Sequence, residues 1–287
     1  MMKHLYTLLF ALFTLVAFGQ SQSETITKSI EVKNKSKAYW FCVCNIDGDI
    51  EVEAYNGNTV EVEIFKEIRS RNADDVRQGM EDIQVILEEA SDYARMIVTS
   101  PNQILREKDD PLECSWDWNR DSGRRGYRFT LDYKVRVPEG ISVKVSTVNN
   151  GDVSVINVDG ELYAGNVNGS VYLEGVSDNV KAKTVNGRLV ISMDKMPTEF
   201  ASFETVNGDI SLELPAKNNG VYNFSTRWGK VYADFDFDSK VAPKVQRVSN
   251  GSETKYKIAN SNGYQLGNGG PQLDFETLNG DIRIKKK

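Results

Sequence analysis

A short phrase repeated along the chain constrains its fold more than any other feature. Each copy has a β-branched residue or leucine, then Asn-Gly, then alternating apolar residues; one copy carries an extra asparagine. Asn-Gly readily accepts positive φ at two successive positions, so each copy predicts a tight turn. The predicted turn glycines are Gly151, Gly169, Gly187, Gly208 and Gly280, together with Gly48, where Asp47 replaces the asparagine. Repetition at a regular period predicts a fold assembled from stacked units.

The spacing of these turns predicts the architecture. Gly151, Gly160 and Gly169 are nine residues apart, so two strand-turn halves make an 18-residue coil, and Gly187 and Gly208 extend the period to 21. Apolar residues two and four positions after each glycine alternate as expected of a strand with one buried side. We therefore predict an all-β, parallel β-solenoid with 18–21-residue coils. Threonines three positions before a turn glycine should form a ladder whose hydroxyls bond between rungs; they are Thr184, Thr205, Thr226 and Thr277.

The pattern also predicts how the chain is organised. A first rung covers about residues 30–64, an insertion about 67–130, and the main array about 133–287, with the rung Leu273–Ile284 closing the stack. The insertion should contain one short helix at Asn72–Met80, because Asn72 is a good N-cap and acids follow it. Hairpin strands at Ile83–Leu87 and Ala94–Val98 compete with a single amphipathic helix over Glu81–Met96. A second hairpin, 245–248 with 255–258, should lie outside the array.

Residues 1–19 have the features of a cleaved signal peptide. Lys3 and His4 precede an apolar run from Leu5 to Phe18, and small residues flank the expected cleavage point before Gln20. We expect residues 20–287 to form a single solenoid domain that is exported and lies in the periplasm, at the outer membrane or outside the cell. His4 is the one histidine of the chain. The processed protein would therefore contain none, which excludes Ser-His-Asp and Cys-His catalysis and imidazole zinc sites.

Charge and cysteine content narrow the function further. The formal net charge is −6, and an acidic surface without a basic stripe predicts no nucleic-acid partner. Cys42 and Cys44 are two residues apart on a strand and share one face, so they are badly placed to bond each other. We interpret them first as small apolar core residues. The alternative is a bridge from one of them to Cys114, which leaves one thiol free.

The repeated coils resemble a known family. Thr-Val-Asn-Gly-Asp-Ile phrases and the glycine-rich run 267–270, placed before a final Thr-Leu-Asn-Gly-Asp-Ile, look like the bacterial putative-adhesin domains of unknown function. The resemblance covers roughly Ile30–Ile64 and Tyr133–Ile284. It implies a repetitive β-solenoid fold and supplies no catalytic residues and no cofactor.

Two ligand sites are considered from the repeat and from the insertion. Nine-residue repeats bind calcium in some β-rolls, but Arg188 and Lys230 interrupt the acids that follow the turn glycines, so we favour ordinary turn acids and predict no metal. In the insertion, Trp116, Asp117, Trp118 and Arg120 form a possible ligand-binding loop, because indole rings can stack on sugar faces. The alternative is that the two tryptophans cover an open edge of the solenoid.

A third candidate is a carboxylate pair for glycoside cleavage, which needs two acids across a groove. The outward residues three after each turn glycine contain no acid: Ser154, Tyr163, Tyr172, Lys181, Val190, Ser211, Tyr232 and Arg283. We therefore predict a non-catalytic surface or periplasmic protein with an adhesion, scaffold or binding role, whose partners are surface glycans or cell-surface proteins. The alternatives are a carboxylate-based carbohydrate-active enzyme and a glycan-binding module on the same scaffold.

Overall fold

The computed structural model describes residues 21–101, 103–105, 110, 112–114, 116–118, 126–241, 245–250, 253–258 and 262–287. One helix, α1 (Ala73–Asp82), accompanies the strands. The strands are β1 (Ser21–Glu31), β2 (Trp40–Cys44), β3 (Ile50–Tyr55), β4 (Thr59–Ser70), β5 (Gln84–Glu89), β6 (Tyr93–Thr99), β7 (Gln103–Leu105), β8 (Trp116–Trp118), β9 (Tyr127–Pro138), β10 (Ser142–Ser146), β11 (Val153–Ile156), β12 (Leu162–Gly165), β13 (Val171–Val176), β14 (Val180–Lys183), β15 (Leu189–Met193), β16 (Phe200–Asn207), β17 (Ile210–Leu214), β18 (Gly220–Thr226), β19 (Val231–Ala233), β20 (Ser239–Val241), β21 (Val245–Asn250), β22 (Glu253–Ile258), β23 (Asn262–Leu266), β24 (Gln272–Asn279) and β25 (Ile282–Lys286).

Two large sheets face each other, and the chain winds between them. The first sheet has the strand order β1-β4-β9-β3-β11-β13-β15-β17-β25-β19, and the second β20-β23-β18-β24-β16-β14-β12-β10-β2-β6-β5. Each coil contributes one strand to each sheet, and neighbouring coils pair in parallel, as β11 pairs with β13 and β10 with β12. The predicted parallel β-solenoid is confirmed.

The core lies between the two sheets and follows the predicted alternation. Along the first sheet, Val153, Val171, Leu189, Ile210 and Ile282 are in register and fully buried. The side chains between them point outward. Because each coil alone has only one apolar side per strand, burial is completed by the coils above and below. The outward positions are therefore free to differ from coil to coil.

The turn glycines are required for a reason other than the predicted one. Of the six, only Gly48 has positive φ, at 118°. A Cβ atom on Gly208 would overlap the carbonyl oxygen of Gly187, and the same holds for Gly280 against Gly208. The turns join strands of two different sheets, so they are not two-residue hairpins. The prediction of positive φ therefore holds at Gly48 and at Asn150 (φ 51°) but is wrong at the other five turn glycines, which close backbone stacking explains.

Buried side chains tie each turn to its neighbour. The hydroxyl of Thr205 donates to the Gly187 carbonyl at 3.0 Å, and that of Thr277 to the Gly208 carbonyl at 3.1 Å. Thr184 and Thr226 do the same to Gly169 and Gly280. These bonds run between rungs, as expected, although to glycine carbonyls rather than between hydroxyls. On the outer side of the turns the asparagine side chains bond each other, as Asn279 does to Asn207 at 2.7 Å.

The last coil in sequence is not the last coil in space. Strand β25 lies between β17 and β19, and β24 lies between β16 and β18. The prediction that Leu273–Ile284 closes the stack is therefore wrong: the coil of β18 and β19 is terminal, and the C-terminal coil is inserted beneath it. The core residues of the inserted coil match those of both neighbouring coils, since Phe275 aligns with Phe203 on one side and Phe224 on the other.

Both ends of the stack are covered. At the N-terminal end, β9, β4 and β1 extend the first sheet, and α1 packs beside them. The Asn72 side chain caps the helix at its start, as predicted. The buried Lys66 ammonium caps the C-terminal end of α1: it donates to the carbonyls of Met80 (2.7 Å) and Ile83 (2.8 Å). It also forms an ion pair with Glu24. The hairpins β5–β6 and β21–β22 occur where they were predicted.

Stacking at the glycines predicts a large cost for any side chain there. Gly208→Ala should lower the free energy of unfolding by about 3 kcal/mol, because two backbones must separate to admit the methyl group. Gly140→Ala is the matched control: it has φ +84° but open space around the new Cβ, so only backbone strain of about 1 kcal/mol is expected. Urea unfolding of both variants measures the difference. Equal losses would contradict close stacking.

The inserted coil predicts an order of amide protection. β25 is hydrogen-bonded on both sides, by β17 and β19, whereas β19 pairs with β25 alone. Backbone amides of Ile282–Ile284 should therefore exchange with deuterium at least about 100-fold more slowly than those of 231–233. Hydrogen-exchange mass spectrometry tests this, and faster exchange at the C-terminal coil would show that it is the outermost one.

Candidate functional site

The outer face of the first sheet carries two parallel rows of side chains. The first row consists of the residues three positions after the turn glycines. Six of them are in register across six strands: Ser154, Tyr172, Val190, Ser211, Arg283 and Tyr232. Glu51 pairs next to Ser154 and begins this row with an acid, so the prediction of a row without acids was wrong at that end. Tyr163 and Lys181, assigned to the same row from the sequence, lie on the second sheet instead.

The next row, five after the glycines, contains the acids that sequence reasoning missed. Glu53, Ile156, Glu174, Ser192, Glu213 and Lys285 are in register there. Their positions repeat with the same period as the turns. Extending the sequence analysis from the third to the fifth residue after each turn glycine would have found them. Glu174 and Glu213 are separated by the strand that carries Ser192, which places their Cα atoms roughly 10 Å apart.

A groove of about 320 Å³ lies between these rows. Its polar lining consists of Glu174, Ser192, Ser211, Glu213, Arg283 and Lys285, and Val190 supplies an exposed apolar surface. The groove is open to solvent along the sheet. Hydroxyl, carboxylate and cationic groups therefore surround one apolar patch. Together they can bind a polar ligand through several hydrogen bonds.

A β-bulge shapes one end of the groove. The register between β13 and β15 shifts between Glu174 and Val176, and the residue between them, Gly175, has φ +64°. A bulge of this kind bends the strand and redirects the neighbouring side chain. A Cβ atom at Gly175 would also overlap the side-chain oxygen of Asn157. The glycine is thus required by the bulge, which follows Glu174 at this end of the groove.

Arg283 is held in place at the other end. Its guanidinium bonds the carboxylates of Asp209 at 2.7 Å and Asp281 at 2.5 Å, and it lies 5.5 Å from the centre of the Tyr232 ring. The backbone N–H of Asp281 also donates to Asp209 at 2.8 Å. This N–H bond, together with Arg283, lowers the pKa of the Asp209 carboxyl. Two acids therefore fix the cation that faces the groove.

The acids that follow the turn glycines have a structural role. An oxygen of Asp49 accepts the backbone N–H of Asp152 at 2.7 Å, and Asp152 accepts that of Ser170 at 2.6 Å. Asp281 accepts the N–H of Lys230 in the same way. Each carboxylate thus satisfies an amide of the neighbouring coil. This supports the interpretation of ordinary turn acids over a calcium ladder.

The predicted ligand-binding loop lies on the other side of the molecule. The backbone of Trp116–Trp118 forms β8, antiparallel to β7. Cys114, just before it, is attached to the outer face of the second sheet. The side chains of Trp116, Asp117 and Trp118, and Arg120 as a whole, lie outside the residues that the structure describes. The sugar-platform hypothesis therefore stays a prediction.

Cys42 and Cys44 are buried as the first interpretation expected, but they lie outside the core between the two sheets. Phe41 and Val43 of β2 point into the core, whereas Cys42 and Cys44 point outward and are buried beneath the segment that contains Cys114. Cys44 forms a disulfide with Cys114, and Cys42 is a buried free thiol. The alternative of one bridge and one free thiol is the arrangement found. Period-2 alternation groups the two cysteines but does not say which face they take.

These features define the class of the protein: a repeat-built β-solenoid whose coils carry an open polar groove on one broad face. Residues 133–264 match the family model described as Toastrack DUF4097. The match covers most of the predicted main array. The resemblance to a putative-adhesin family of unknown function is confirmed.

Several solved structures are similar over most of the chain. A putative cell adhesion protein from Clostridium sporogenes has a TM-score of 0.47 at 13% identity, covering 93% of this chain and 100% of that one. A putative adhesin from Bacteroides fragilis has a TM-score of 0.35 at 10% identity, covering 92% and 97%. A putative lipid binding protein from Parabacteroides distasonis has a TM-score of 0.27 at 8% identity, covering 92% and 96%.

Comparison with curated proteins gives no match. Among the residues that the structure describes, no helix has both the length and the apolar character needed to cross a membrane.

The Asp209 contacts predict a pH-dependent contribution to stability. Because folding lowers the pKa of this carboxyl, its contribution is present above the ordinary aspartate pKa of about 3.9 and is lost as the pH falls through the lower folded value. Asp209→Asn should therefore cost about 0.5–1 kcal/mol at pH 7 and progressively less below about pH 4. Urea unfolding across pH 2–7 measures this. Ser211→Ala, an uncharged neighbour, is the control and should show a constant difference; a constant difference for Asp209→Asn would contradict the assignment.

Proposed function

We propose that this protein is a non-catalytic binding protein of the cell surface or periplasm, and that it binds glycan chains in the groove of the first sheet. Residues 1–19 would direct export, and residues 20–287 would form the single mature domain. The observation that carries the proposal is the groove itself: carboxylates, hydroxyls and cations arranged around an apolar patch on a stiff stack of strands.

The lining suits a sugar for chemical reasons. Carboxylates such as Glu174 and Glu213 accept hydrogen bonds from sugar hydroxyls, and Ser192 and Ser211 can both donate and accept. Val190 offers an apolar surface of the kind on which the C–H face of a sugar ring can rest. Neighbouring coils are about 4.8 Å apart. A chain laid across the rungs would therefore meet a new pair of outward side chains at each coil.

Binding is favoured over cleavage by the exposure of the acids. Glu174 and Glu213 both point to solvent on an open face. A glycosidase holds its proton donor in an apolar pocket, and its two carboxyl groups flank one bond. The pair here is separated by a whole strand and has Lys285 and Arg283 close by. These features suit hydrogen bonding to a bound chain better than protonation of a leaving group.

The stiffness of the scaffold supports the same function. Each coil is fixed to the next by strand pairing, by Thr hydroxyls and by Asn amides. The groove residues therefore keep their spacing without a ligand, so little conformational entropy is lost when a chain binds. An adhesive surface needs this property, because many weak contacts act together only if they are held in register.

A glycan and cell-surface binding screen of residues 20–287 tests the proposal. The double variant Glu174→Gln/Glu213→Gln should weaken the affinity for the selected glycan at least about tenfold, because it removes two charged acceptors. The matched control Glu51→Gln/Glu53→Gln changes two acids on the same face, outside the groove, and should bind as the wild type does.

Two further outcomes decide against the proposal. If Trp116→Ala/Trp118→Ala abolishes glycan binding while the groove variant retains it, the site is the loop rather than the groove. If the glycan is shortened on incubation with wild type but not with the groove variant, the protein is an enzyme. Absence of glycan and cell-surface binding by the wild type would also contradict the proposal.

A further inference from the structure

Three cysteine sulfurs lie together on the outer face of the second sheet. The Cys42 Sγ is 3.7 Å from the Cys44 Sγ and 3.9 Å from the Cys114 Sγ, and all three atoms lie within 4.8 Å of one another. The site is separate from the groove, which lies on the first sheet. A disulfide alone would need only Cys44 and Cys114. The third sulfur, buried and facing both, is not required by the bridge.

Two of the three sulfur–sulfur distances match those of a thiolate metal site, and the third pair is joined by the disulfide. A metal–sulfur bond of about 2.3 Å in tetrahedral geometry places two ligand sulfurs about 3.8 Å apart. The two distances from Cys42 fall on either side of this value. Cys42 and Cys44 are i and i+2 on β2, so the rigid strand holds them on one side, and Cys114 approaches from the covering segment. Cys114 is half-buried, which leaves an approach from solvent.

The surroundings compensate negative charge. Lys144 and Arg95 lie near the Cys42 sulfur and attract negative charge there, while Asp110 opposes it. Both cations belong to the strands that flank β2, where Lys144 and Arg95 pair in register with Cys42. A cation bound by three thiolates carries a net charge of −1 or −2, depending on the metal. Lys144 and Arg95 lie beside the cluster and reduce the cost of burying that charge, although Lys144 also pairs with Asp110 and Arg95 with Glu88.

We propose that the three cysteines form a binding site for one thiophilic d10 cation, Zn²⁺ or Cu(I), once the Cys44–Cys114 disulfide is reduced. A dithiol or phosphine reductant supplies two electrons, and two protons complete the thiols of Cys44 and Cys114. Metal binding then forms three metal–sulfur bonds and releases the three thiol protons. The oxidised protein has only the Cys42 sulfur available. The disulfide therefore closes the site, and reduction opens it.

The choice of cation follows from the donors. Thiolates select Zn²⁺ and Cu(I) over Mg²⁺ or Ca²⁺, which require oxygen ligands. Zn²⁺ would complete a tetrahedron with a fourth ligand from solvent on the Cys114 side, whereas Cu(I) is satisfied by three sulfurs. The two arms of the experiment separate these cases.

The test measures metal binding by the full chain after anaerobic reduction. Zn²⁺ and Cu(I) are titrated separately against a chromophoric competitor, and reduced wild type should bind one equivalent of at least one of them. Oxidised wild type should bind at least about 100-fold more weakly. Cys42→Ser should show the same weakening when reduced, while its oxidised form keeps the Cys44–Cys114 bridge and the wild-type melting temperature.

A second measurement covers the case in which reduction destabilises the fold. A ligand that binds the native state raises its melting temperature, so the preferred metal should raise that of reduced wild type and leave that of reduced Cys42→Ser unchanged. The proposal is overturned if reduced wild type binds neither cation. It is also overturned if reduced Cys42→Ser binds as tightly and gains as much thermal stability. Glycan binding plays no part in either measurement.

Discussion

Close contact between successive turns is the constraint on which the rest of the structure depends. The Gly208 N–H donates to the Asn279 carbonyl at 3.0 Å, and the Gly187 N–H to that of Asn207 at 3.1 Å. Threonine hydroxyls satisfy the glycine carbonyls from inside. The backbone groups of each turn are thus paired by the neighbouring coil rather than by water. This pairing requires a position without a side chain, which explains why glycine recurs while the residue after it varies from Asp to Arg.

The same constraint separates structure from function along each coil. Inward residues and turn residues are restricted by packing, whereas outward residues contact only their neighbours in the row. The polar lining of the groove is made by outward residues of β13, β15, β17 and β25. Because β25 comes from the end of the chain, the groove joins residues more than a hundred positions apart. Its composition therefore depends on the insertion of the C-terminal coil, which brings Arg283 and Lys285 beside Ser211 and Glu213.

Local periodicity explains which parts of the fold could be predicted. The coils, the threonine bonds between rungs, the Asn72 cap of α1 and the hairpins follow from residue spacing, and the structure contains them. The order of the coils in space could not be predicted. Phe203, Phe224 and Phe275 occupy the same position in their coils, so the sequence does not show which two coils are adjacent. The face of β2 that carries Cys42 and Cys44 could not be predicted, because the alternation of side chains along a strand does not show which face points into the core. One side of the groove, Arg283 and Lys285, depends on the order of the coils in space, which no spacing rule indicated.

The covered ends of the solenoid indicate where a partner can bind. An exposed strand edge invites pairing with another chain, and proteins shorten or cover such edges. Here β1 meets β4 in antiparallel fashion and carries mostly exposed polar residues, while β19 at the opposite end of the first sheet has only three residues. On the second sheet, β23 and β20 cover the terminal coil, and Phe237 and Tyr264 pack on Phe224. The short β19 and the polar surface of β1 disfavour growth of the first sheet by further strands. The broad outer face of this sheet carries no such restriction, and it presents the groove.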